Sequence, residues 1–185
     1  AGRDHTATYT EDTPGVAVAT STASLDNQAV NIKAVALALS PTPDGGAEKL
    51  FVSADLVTFL SSRGITVQTN ETHTVTLAAT NTLGGYSGTP HGAANSGVSA
   101  ENMQLALRAV QYVNTSQNPS VGNREVNVSV VDTGNNGVGA KTIINIVPVN
   151  DAPVKGGDDA GALNEGAVYV FTNADLNSTD VDNDN

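Results

Sequence analysis

The sequence predicts an all-β protein, an antiparallel sandwich carrying one short helix, and three observations support that expectation. Charged residues make up only 15% of the chain and aromatics 4%, while Thr, Asn, Val, Ala and Gly dominate. That balance suits short strands joined by polar turns, whereas helical proteins draw more on Glu, Lys, Leu and Arg. Along Arg124 to Val131 the residues Val126, Val128 and Val130 alternate with polar neighbours, the period of a half-buried strand. Between that segment and a second strand at Lys141 to Val149, the run Asp132 to Gly137 supplies the Asn-Gly signal of a hairpin loop.

The remaining elements are predicted in chain order. Strands are expected at Thr6 to Thr10, Val16 to Ala19, Asn31 to Leu39, Thr66 to Thr69 and His73 to Ala78. Ser40 to Gly46, with two prolines and two glycines, reads as a turn, and the glycine-rich stretch from Leu83 to Gly97 reads as a long surface loop. Ser99 to Val110 breaks the β pattern. It offers a Ser N-cap, an early Glu101 and apolar Met103, Ala106, Leu107 and Val110 at helical spacing, which predicts a short helix packed on the sandwich. Pro148 places its strand at an edge or at its end, because proline cannot donate to a ladder.

Composition excludes several functions. Nineteen acidic residues face 8 basic ones, a net charge of -11, which argues against nucleic acid or anionic lipid as partners and favours divalent cations. The absence of cysteine rules out disulfides and thiolate metal sites. No apolar run approaches the ~20 residues needed to cross a bilayer, so this segment is expected to be soluble, with any export signal or anchor outside it. Catalytic patterns are missing. His5, His73 and His91 lack the close spacing of a zinc motif, no phosphate-binding glycine loop occurs, and Gly85-Tyr86-Ser87-Gly88 has its second glycine one place out for a nucleophile elbow. A non-enzymatic chain is expected.

The acidic residues are arranged more pointedly. Asp180, Asp182 and Asp184 occupy alternate positions near the C-terminal end, so in an extended chain they share one face and repel. Two like charges about 4 Å apart cost roughly 1 kcal/mol in water and several-fold more where water is excluded, and a hard cation with oxygen ligands converts that repulsion into attraction. A frayed acidic terminus is the plainer reading of the same run.

The ordered set Tyr9-Thr10-Glu11-Asp12, Leu105 to Thr115 followed by Asn118-Pro119, Val128 to Asp132, and Val149-Asn150-Asp151-Ala152-Pro153 resembles the cadherin-like tandem repeats of large bacterial surface adhesins, those of the RTX type included. The resemblance implies a cadherin/immunoglobulin-like sandwich over residues 1–153. Leu163 to Val170 followed by Asp180-Val181-Asp182 looks like the opening of a second repeat, with Glu165 equivalent to Glu11, so residues 154–185 are expected to be a linker and the incomplete start of that repeat. That piece falls below the ~40 residues that bury enough surface to fold alone.

In such repeats calcium sits at the junction between modules. The resemblance implies Ca2+ held by Glu11, Asn150 and Asp151 together with Asp180 and Asp182, and a second group of Asp26 and Asp132 at the opposite end, where Leu25-Asp26-Asn27-Gln28 offers a single acid in place of the family's pair. Each residue also has a duller reading: Glu11 as an exposed strand residue, Asp132 as a turn-forming acid, Asn150-Asp151 as a turn pair before Pro153. The function implied is an extracellular or cell-surface spacer, stiffened by calcium, whose partners are neighbouring repeats. A self-assembling filament built by strand donation, an adhesin contacting a glycan or protein receptor, and an accessory domain of a carbohydrate-active enzyme are the alternatives.

Overall fold

The computed structural model describes residues 4–25, 31–80, 97–156, 162–170, 172, 175 and 177–182. The predicted hairpin is its backbone. Strands β8 (Gly122–Asp132) and β9 (Gly137–Val147) pair antiparallel from Gly122 opposite Ile146 to Val131 opposite Gly137. The inward parity of Arg124, Val126, Val128, Val130 and Asp132 on β8 is the one the alternation predicts. The hairpin extends into a sheet of order β1-β9-β8-β3-β6-β5, built with β1 (His5–Thr10), β3 (Ile32–Ser40), β5 (Ile65–Gln68) and β6 (Thr74–Ala79). A smaller sheet of order β2-β7-β4 joins β2 (Val16–Ala17), β7 (Gln111–Asn114) and β4 (Glu48–Phe51). The apolar face of each sheet enters one core containing Val35, Leu37, Leu50, Leu77, Tyr112 and Ile144. A two-stranded pair, β10 (Val154–Lys155) with β11 (Ser178–Thr179), stands apart from both sheets.

Three features depart from expectation. The ladder of β1 on β9 runs parallel, from His5 opposite Thr142 to Thr10 opposite Val147. The strand can lie this way because no hairpin connects the two, and because the chain leaves β1 through a bend at Asp12 (φ 62) and Gly15 (φ 132) to reach the other sheet. Gly15 is required there, since a Cβ would come within 3.0 Å of the Tyr112 carbonyl. Second, an unpredicted helix α1 (Ala54–Ser62) precedes β5. Only Leu60 of its residues is buried, so its apolar spacing is a weak signal, although Ser53 ahead of it and Gly64 (φ 77) after it are ordinary start and stop residues. Third, β4 and β7 were not predicted as strands, being four residues each. The predicted helix forms as α2 (Ala100–Ala109): Ser99 caps it by accepting the Asn102 amide, and Met103, Ala106 and Leu107 face the core. Of the predicted loop from Leu83 onward, residues 83–96 lie outside the described residues, and Gly97 packs so tightly on Ile32 that a Cβ would sit 2.3 Å from its carbonyl oxygen.

One inward position of β8 is a cation. Arg124 is 1% exposed. Its Nε donates to both carboxylate oxygens of Glu48, at 3.0 and 2.9 Å, and a terminal nitrogen donates to Asp44 Oδ2 at 3.0 Å. Glu48, itself fully buried, also accepts from the Tyr112 hydroxyl. Burial would release the Arg124 proton, but the paired carboxylates outweigh it and hold the guanidinium more firmly charged than usual. Burial likewise raises Tyr112, with the Glu48 charge adding to it. For Asp44 burial pulls upward, yet hydrogen bonds from Ser120 and Asn114 and the charge of Arg124 prevail and lower it.

Glu48→Leu leaves the guanidinium buried without its main partner and is expected to cost about 3–5 kcal/mol in urea unfolding. Glu48→Leu combined with Arg124→Met is expected to cost markedly less, because both charges go together. A double variant as unstable as the single one would show that the two residues do not act as a unit.

Candidate functional site

Glu11, Asn150, Asp151, Asp180 and Asp182 meet where β1 and β9 end. The Glu11 amide continues the ladder by donating to the Val147 carbonyl at 3.0 Å, and the Val149 amide returns the bond to Glu11 Oε2 at 2.8 Å. Glu11 is therefore only 3% exposed, which overturns its reading as an exposed strand residue. After Pro153 the chain runs into β10, and the β10–β11 pair brings Asp180 and Asp182 back to this end. The Asp151 amide donates to Asp182 Oδ2, the Asp182 amide donates to Asp180 Oδ1 at 3.0 Å, and Asn150 Nδ2 donates to the Asp151 carbonyl at 2.8 Å. Asp180 and Asp182 lie just past β11 and not on a regular strand, so their repulsion is eased by backbone amides turned toward them. Asp184 lies outside the described residues.

Three further residues join the cluster. Asp12 follows Glu11 in the bend and accepts from Gln117 Nε2 at 2.9 Å. Asn118 Nδ2 donates to the Val181 carbonyl at 2.9 Å. Asp12 was visible beside Glu11 in the sequence; the two amides carry no signal of their own, because only folding brings their loop to this end.

The electrostatics are those of crowded anions. Burial raises the pKa of Glu11, and the charges of Asp151, Asp182 and Asp12 raise it further against the Val149 amide. Partial desolvation raises Asp151, followed by Asp182, Asp12 and Asp180. Among the described residues, Glu11 Oε1 and Asp151 Oδ2 are the buried side-chain oxygens that receive no hydrogen bond. Buried carboxylate oxygens are normally satisfied, and two left bare in one negative field suit a hard cation that takes oxygen ligands. Glu11, Asp151, Asp180 and Asp182, with Asn150 or main-chain oxygens, are the donors that would hold it. Among the described residues no three His, Cys, Asp or Glu side chains stand close enough together to hold a metal ion as they are placed.

The second implied group is different. Asp26 lies outside the described residues. Asp132 ends β8 at the hairpin, next to Val131, whose partner Gly137 starts β9, so the 11 residues of β9 from Gly137 to Val147 set it about 30 Å from the other end at ~3.3 Å per residue. Its Oδ1 accepts the Asn136 amide at 2.8 Å and its carboxylate takes the Asn136 side chain, while Asn135 adopts φ 61. These bonds place Asp132 in the hairpin turn. Glu165 is exposed in a turn at Asn164 to Ala167 and takes no part in the cluster.

No protein-family model and no curated protein matches the chain. Among solved structures it is similar to a chain in the crystal structure of a cohesin–dockerin complex at pH 5.5, with 12% identity and a TM-score of 0.36, covering 78% of this chain and 99% of that one. No helix among the described residues is long and apolar enough to cross a membrane.

Raised carboxylates predict an unusual pH response. Glu11 and Asp151 bind protons more readily folded than unfolded, so without divalent metal stability rises as pH falls from neutral toward the ordinary carboxylate range and is lost as pH climbs back through their folded pKa values. Asp44, lowered on folding, acts oppositely: its contribution is present above the ordinary carboxylate value and disappears below it. Thermal melts in chelator across this range are expected to show the rise, and Glu11→Gln is expected to flatten it while melting above the parent at neutral pH. A parent that loses stability steadily from about pH 7 downward would contradict the crowding described here.

Proposed function

We propose that this chain is a non-enzymatic, extracellular β-sandwich module whose C-terminal end binds calcium and thereby fixes its angle to the segment that follows. The observation that carries this reading is the pair of bare buried oxygens, Glu11 Oε1 and Asp151 Oδ2, set among acids from either side of the linker. Without a cation these acids repel and weaken the junction, which neutral contacts alone then hold. A bound cation supplies the charge they lack, and residues on both sides then share one centre. The resemblance to cadherin-like repeats of bacterial surface adhesins supports the same arrangement and suggests a spacer that carries a binding domain away from a cell. Extracellular calcium modules bind at about 10⁻⁴ to 10⁻³ M, so the device suits millimolar surroundings and would stay empty at cytosolic levels.

A second reading has its own observation. In the segment 162–170, Val168 is 88% and Val170 74% exposed, side chains two apart that share one face where the chain is extended, with no sheet beneath them among the described residues. Strand donation to another copy would cover them and give a filament. Light scattering separates the two: growth of assemblies with concentration supports the filament, and a monomer at all concentrations supports the spacer.

Calcium titration by calorimetry, paired with melts in calcium and in chelator, tests the main reading. Saturating calcium at a hundredfold excess over Kd stabilises by about 2.7 kcal/mol, which is expected to raise Tm by about 5–10 °C. Asp151→Asn and Glu11→Gln are each expected to remove most of that rise. No heat and no shift in the parent would end the proposal.

A further inference from the structure

The junction contains a third wall that the acids do not account for, the loop 115–120 between β7 and β8. It is anchored from below. The Tyr9 hydroxyl donates to the Asn114 carbonyl at 2.6 Å, Asn114 Oδ1 accepts the Ser116 amide at 3.0 Å, and Ser116 Oγ accepts the Asn118 amide at 3.2 Å. Pro119 is buried. The Ser120 amide donates to both oxygens of Asp44, at 3.0 and 3.1 Å, and Arg124 donates to the Ser120 carbonyl at 3.0 Å. The buried cation of the core thus holds both the loop and the carboxylate beneath it.

From this rigid base two exposed amides reach outward. Gln117 takes Asp12 in the β1–β2 bend, and Asn118 takes the Val181 carbonyl between Asp180 and Asp182. Resting on the reading of this end as a cation-bridged junction, we infer that Asn118, on a loop that Gln117 braces against Asp12, forms a metal-independent latch, which keeps residues 178–182 docked on the sandwich before any ion arrives. Both are neutral donors facing an anion and a carbonyl, so they add no charge to an overcrowded site, and they work in chelator as well as in calcium. Their effect is to bring Asp180 and Asp182 near Glu11 and Asp151 beforehand, which lowers the ordering cost of binding. Gln117 and Asn118 are positioning residues, acting through the segments they hold.

The test uses spin labels, since the chain has no cysteine of its own. With Thr8→Cys and Thr179→Cys labelled, pulsed electron resonance reads the distance between β1 and β11. The parent is expected to give one narrow distribution in chelator. Asn118→Asp, which keeps the size but loses the donor, is expected to lose that narrow distribution in chelator and regain it in calcium; Asn118→Ala should do the same without the added charge, and an unchanged far-ultraviolet spectrum would show that the sandwich persists. Variants as narrow as the parent in chelator would overturn the latch. Variants that broaden in chelator but fail to narrow in calcium would uphold the latch and overturn the calcium reading on which its purpose rests.

Discussion

The fold is organised around a positive charge that the sandwich cannot leave unpaired. Arg124 belongs to the large sheet and Glu48 to the small one, so their contact fastens the two layers across the core. A guanidinium with five donors in fixed directions demands several acceptors, and the chain supplies them from separate places: Glu48 on β4, Asp44 in the turn before it, and the carbonyls of Ser120 and Gly122. Apolar packing would tolerate small slips between the layers. A directed polar network does not, which is how a core built from small aliphatic residues acquires one register.

That network also reaches the acidic end of the sandwich. Tyr112 stands edge-on to Tyr9, with ring centroids 5.3 Å apart at 85°, and Tyr9 lies two residues before Glu11. The same tyrosine hydroxyl that ties β1 to Asn114 therefore fixes where the Glu11 carboxylate emerges. Position at the junction is set by the core, whereas charge at the junction is set by four aspartates and one glutamate whose backbones arrive from three parts of the chain. The two ends of the sandwich differ accordingly. At the hairpin end Asp132 is consumed by its own turn, while at the linker end Glu11 and Asp151 each keep a buried oxygen bare.

Much of this was legible in the sequence, for identifiable reasons. Period-two valines gave β8 and its face, and Asn-Gly gave the hairpin, because both are local signals. Ser99 with Met103 and Leu107 gave α2 for the same reason. The strands β4 and β7 were hidden by their brevity, and α1 by having one buried residue. Arg124 could have been found: it shares parity with Val126, Val128 and Val130, so an inward cation needing an acid partner follows from the alternation itself. The parallel placement of β1 could not, since it depends on contacts far apart in the chain. At the candidate site the acids were readable as types, but Asp132 shows that an acid in a familiar motif position can be satisfied locally, and Gln117 and Asn118 show that neutral side chains matter when folding places them beside charge.

The parallel pairing of β1 with β9 has a consequence for a protein under load. The chain enters at the His5 end of that ladder and leaves the sandwich past Val147 at the other, so a pull applied to the two ends drags the strands lengthwise along each other. All six residue pairs then resist in shear at once, whereas an antiparallel hairpin pulled from its open end would unzip one pair at a time. The orientation of a single short edge strand thus sets whether the sandwich meets an end-to-end pull by shear or by unzipping.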